Sequence, residues 1–68
     1  MNEQIEFFLT HAASAQNESE TLYRAAMKMP LSFQSVMLLD LSVELNKVAK
    51  RLLYEVEKIN KENMGVEQ

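Results

Sequence analysis

Residues 31–45 read LSFQSVMLLDLSVEL, and nine of these fifteen are large and apolar. They do not keep to one side of a helical wheel. Leu38, Leu41 and Leu45 line one face, while Phe33, Val36, Leu39 and Val43 fall on or near the opposite one. A helix that is apolar most of the way round has to be covered on two sides, and one short partner helix covers only one. The stretch therefore predicts a helical bundle completed by another chain.

The segments on either side continue the helical pattern. One glycine and one proline in 68 residues, against a usual share of about 12% for the two together, leave the chain few places to turn. No alternating apolar and polar run suggests a strand. Upstream, Asn2 is placed to cap a first helix, with Glu3 and Glu6 in the first turn, where carboxylates favour the positive end of the helix dipole. The inward residues then read Ile5, Phe8, Ala12, Ala15, Ser19, Leu22, Ala26 and Met29. Their spacing alternates three and four, the spacing of a heptad seam whose centre is small. A competing reading breaks this helix at Asn17, which with Glu20 resembles a capping box.

Pro30 ends the first helix, because a residue before proline is pushed toward extended geometry. Ser32 is the natural N-cap of the second, with Leu31 and Val36 spaced as a hydrophobic staple. From there the pattern runs to Asn63, and Gly65 marks the expected stop. Leu45, Val48, Leu52, Val56 and Ile59 form the expected inward stripe, widened by Ala49 and Leu53. Glu44–Lys47, Glu55–Lys58 and Glu57–Lys61 are spaced for helix-stabilising ion pairs. The expected fold is all-α: an antiparallel helical hairpin with helix 2–28, turn 29–32 and helix 33–63. It forms one domain over residues 1–65, residues 66–68 are a frayed tail, and two hairpins dimerise into a four-helix bundle.

Size and composition narrow the functional classes. A single core in a chain this short contributes only about 3 to 5 kcal/mol of stability. With no cysteine and one histidine, His11, neither a disulfide nor a Cys/His zinc site is available as a staple. Self-association or a larger partner remains. No basic leader precedes an apolar run and no stretch approaches a membrane span, so a soluble, cytoplasmic protein with no membrane partner is expected. The formal charge is -3, divided as six acids against two bases in residues 1–46 and four against five in residues 47–68. Mild overall acidity disfavours nonspecific binding to polyphosphate.

Two surfaces stand out. The first is the apolar set Phe33, Val36, Leu39 and Val43, either an oligomer or partner interface or a patch covered by residues 22–27 if the first helix breaks. Asp40 within it needs a partner if buried, with Arg24 or Lys28 the nearest cations. The second is Lys47, Lys50, Arg51, Tyr54, Lys58 and Lys61, which carries five of the seven basic residues. It reads either as a solvated outer face or as a docking strip for a phosphate backbone or acidic protein, with Tyr54 available to stack. Met27, Met29 and Met37 cluster near the turn, and Met64 near the C-terminus; methionines fill gaps in cores or form adaptable binding surfaces. His11 beside Phe7 has no second ligand at helical spacing, so no metal site is expected. No catalytic set or cofactor loop can be assembled from one histidine and one glycine.

The expected function is that of a small non-enzymatic protein-interaction factor, an inhibitor, adaptor or chaperone-like regulator. It binds itself and an unidentified protein, and it uses no cofactor. The alternatives are a dimeric nucleic-acid-binding bundle using the Lys47 to Lys61 strip, and a structural subunit of a larger assembly.

Overall fold

The structure, a computed structural model, describes the backbone of residues 2–67 and the side chains of residues 2–63. It contains two helices, α1 (Glu3–Lys28) and α2 (Phe33–Glu67), packed against each other as a hairpin 56 Å long and 15 Å by 11 Å across. α1 starts where the capping chemistry places it. Asn2 is extended, and its Oδ1 accepts from the amide nitrogens of Gln4 at 2.8 Å and Ile5 at 3.4 Å. The helix passes through Asn17 without a break, and the Thr21 hydroxyl donates to the Asn17 carbonyl at 2.9 Å. The capping-box resemblance at Asn17 is therefore not used. Nothing there forces the backbone out of helical geometry, while the spacing of the inward residues continues across it.

Met29 closes α1 in extended geometry ahead of Pro30, with its amide donating to the Ala26 carbonyl at 3.2 Å. Ser32 and Ser35 then open α2 reciprocally. The Ser35 amide donates to Ser32 Oγ at 3.2 Å, and the Ser32 amide donates to Ser35 Oγ at 2.9 Å. This is a capping box with serine in the place usually held by glutamate. The expected staple is not packed, because Leu31 is 89% exposed.

α2 also runs further than expected. It continues through Gly65 to Glu67, past the stop expected at Gly65; Gln68 lies outside the described residues. Glycine in a helix costs about 1 kcal/mol relative to alanine, and no residue here takes the left-handed conformation that would terminate the helix.

The packing between the helices rests on small residues. Ser19 Oγ donates to the Ser42 carbonyl at 2.7 Å, Ser42 Oγ donates to the Ser19 carbonyl at 2.9 Å, and the two hydroxyls lie 3.1 Å apart. Side chains this short reach across only when the two backbones are close. Counting in sevens from that level in an antiparallel pair brings Ala12 opposite Ala49, Ala26 opposite Ser35, and Ile5 opposite Val56. All of these are buried except Ile5, which is half-buried. The buried set is thus Ala12, Ala15, Ser19 and Ala26 on α1 with Ser35, Ser42, Ala49 and Val56 on α2, and no large side chain among the described residues is fully enclosed.

The inward stripe expected for α2 is seen in part: Ala49 and Val56 are buried and Leu45, Leu52 and Ile59 half-buried, but Val48 and Leu53 are exposed. Burying a leucine at the seam would push the helices apart and break the serine exchange. The same register leaves α2 without a neighbouring α1 residue beyond about Asn60, which accounts for its overhang past the start of α1.

Because the seam admits only small side chains, Ala49→Leu should destabilise the fold by about 1–3 kcal/mol through overpacking. Lys50→Ala, one residue away on the exposed side, should stay within about 0.5 kcal/mol of the wild type. Urea denaturation at one fixed protein concentration measures both.

Candidate functional site

With the helices held this closely, most large apolar residues are displaced to the outer faces. Near the turn, Phe33 is 78% exposed, Val36 and Val43 are each 52% exposed, and Leu39 is half-buried. The unbroken α1 cannot fold residues 22–27 over this set. Tyr23 and Met27 are themselves exposed. The patch therefore stands open at the turn end of the hairpin. Asp40 is exposed beside it and has no ion-pair partner among the described residues, so the expected buried pairing does not arise. Arg24 instead pairs with Glu20 at 3.4 Å.

The methionines follow the same logic. Met27, Met29 and Met37 are all exposed, so around the turn they are surface rather than gap-filling core. The Met64 side chain lies outside the described residues. Next to the apolar patch runs an open groove lined by Gln16, Asn17, Glu20, Tyr23, Arg24 and Asn46, with the Ser19–Ser42 pair at its floor. Its lining is mixed in charge, and its serine hydroxyls are already bonded to the opposite helix.

A second apolar face lies around α2 from the first. Leu38, Leu41, Leu45, Val48 and Leu52 step by three and four; Leu41 is 46% and Val48 49% exposed, and the others are half-buried. On α1, Phe8 and Leu22 are also half-buried. The expected inward stripe takes in Leu45, Val48 and Leu52 of this face, while Leu38 and Leu41 are expected only to share a face with Leu45. The signal for the closest part of the seam is the recurrence, every seven residues, of Ser35, Ser42 and Ala49, which matches Ala12, Ser19 and Ala26 on the other helix.

Lys47, Lys50, Arg51, Tyr54, Lys58 and Lys61 are all exposed and lie along α2 on the side away from the seam. Lys47 approaches Glu44 and Arg51 approaches Glu55, each at 3.5 Å, which partly neutralises the strip. The expected Glu55–Lys58 and Glu57–Lys61 pairs are not among the ion pairs of the described residues; Glu55 turns to Arg51 instead. His11 is exposed and tilted against Phe7, with ring centroids 4.2 Å apart. No group of three metal-ligating side chains occurs among the described residues, and no helix there is long and apolar enough to cross a membrane.

Comparison with protein-family models, curated proteins and solved structures returned no match for this chain. The surfaces themselves are the basis for a functional reading.

Arg51 is exposed and its partner Glu55, 29% exposed, still reaches solvent, so the pair contributes little. Arg51→Ala should change unfolding free energy by no more than about 0.5 kcal/mol, and the small difference should shrink further at high salt. Thermal denaturation at two ionic strengths measures this.

Proposed function

We propose that this chain is a small, non-enzymatic protein-interaction factor, an inhibitor, adaptor or chaperone-like regulator that covers a surface of another protein. It works as a pair of hairpins joined in a four-helix bundle. The observation that carries the reading is the open apolar patch of Phe33, Val36 and Val43 at the turn end, on a hairpin whose own seam takes only small residues. Apolar surface concentrated in this way marks an interaction site. Its aromatic and methionine neighbours, Tyr23 and Met27, are the side-chain types enriched where proteins bind one another. Charged residues are sparse in the patch and concentrated on the outer strip, which suits a desolvated contact centre with a polar surround.

The test is affinity capture with the tagged chain, comparing wild type, Val36→Asp and the double variant Arg51→Glu/Lys58→Glu, with and without nuclease. A specific protein should be retained by the wild type and the double variant after nuclease treatment, and Val36→Asp should lose it by tenfold or more, about 1.4 kcal/mol. Capture that survives Val36→Asp but disappears with nuclease or in the charge-reversed variant would instead assign the activity to nucleic acid on the Lys47 to Lys61 strip.

A further inference from the structure

The turn-end patch leaves the second apolar face without a role. We infer that the face formed by Leu38, Leu41, Leu45, Val48 and Leu52 is the docking surface for a second copy of this chain, leaving the Phe33, Val36 and Val43 patch free for the partner. The inference rests on the proposed self-association and assigns it to one face.

Area is the first argument. A compact monomer of 7.9 kDa exposes about 4,400 Å², whereas this chain exposes 5494 Å². The excess of about 1,100 Å² is comparable with the roughly 800 Å² per partner that a stable protein interface removes from water. A hairpin of two helices side by side, each about 10 Å wide and packed over about 40 Å of length, presents a face of about 800 Å². The chain thus has both the surplus surface and a face of the size needed.

Symmetry is the second argument. A two-fold interface has to be complementary to itself, so each contact made by one copy is returned by the other. The stripe has this property, since Leu41 and Val48, and then Leu38 and Leu52, flank Leu45 at nearly equal steps. An antiparallel copy therefore meets large apolar residues at every level when Leu45 lies near the axis. Phe8 and Leu22 on α1 widen the face, and the exposed residues Glu18 and His11 supply a polar rim. The turn-end patch lies on other positions of α2, so its outermost residues remain exposed in such a pair.

The test is sedimentation equilibrium with light scattering on the wild type, Leu41→Glu and Val36→Asp, together with hydroxyl-radical footprinting of the wild type. The wild type and Val36→Asp should weigh twice 7.9 kDa. Leu41→Glu should raise the dissociation constant by about thirtyfold or more, as loss of a buried anchor does. Footprinting, which does not depend on any variant folding, should show Leu41 and Val48 becoming protected as the wild type is concentrated from monomer to dimer, while Phe33 stays equally reactive. A monomeric wild type, a dimer broken by Val36→Asp but not by Leu41→Glu, or protection of Phe33 in place of Leu41 on association would overturn the assignment. Dimerisation through this face with unchanged capture by Val36→Asp would contradict only the proposed function. A monomer that loses its partner on Val36→Asp would contradict the paired hairpins and leave the covering of another protein's surface standing.

Discussion

Two hydroxyl groups hold the middle of this hairpin. Ser19 and Ser42 each donate to the other's backbone carbonyl, at 2.7 Å and 2.9 Å, and those distances require the two helix backbones to run close together. The requirement propagates in steps of seven residues along both helices, where the buried residues among those described are alanine, serine and, at the open end, valine. A seam of this kind gains close backbone approach and satisfied hydroxyls. It gives up apolar area, since each alanine removes far less surface from water than a leucine does at roughly 25 cal/mol per Å².

What the seam excludes, the outer faces must carry. Among the described residues, fourteen large apolar side chains are exposed, while the buried apolar positions are four alanines and one valine. Of the fourteen, Leu41 and Val48 belong to the leucine stripe along α2, and Phe33, Val36 and Val43 to the open patch beside the turn. The basic side chains of α2 lie on a third sector, where Lys47 and Arg51 approach glutamates. One packing decision at the centre thus shapes much of the surface of α2.

Much of this order is legible in the sequence. Asn2, Pro30 and Ser32 locate the helix ends and the turn through local chemistry that needs no partner, and the small centre of the α1 seam follows from its regular spacing. The seam of α2 is hidden because Ser35 and Ser42 are scored as polar, while leucines flank them on every turn. Hydrophobicity ranks Leu45 and Leu52 as core, yet at a close seam size matters more than transfer free energy. The open state of the turn-end patch was undecided for a related reason. It depends on α1 remaining continuous at Asn17, where a local capping signal and the wider heptad spacing disagree. Gly65 misled in the opposite direction, because a glycine permits a helix to end without compelling it to do so.

The most direct test of the close seam is the double variant Ser19→Cys/Ser42→Cys, oxidised in dilute solution and read by mass spectrometry of proteolytic fragments. Hydroxyls 3.1 Å apart place the two sulfurs within reach of the strict geometry of a disulfide. The account predicts rapid and nearly complete formation of a bridge within one chain, with helical content unchanged. Failure to form the bridge, or a bridge found only between chains, would contradict it.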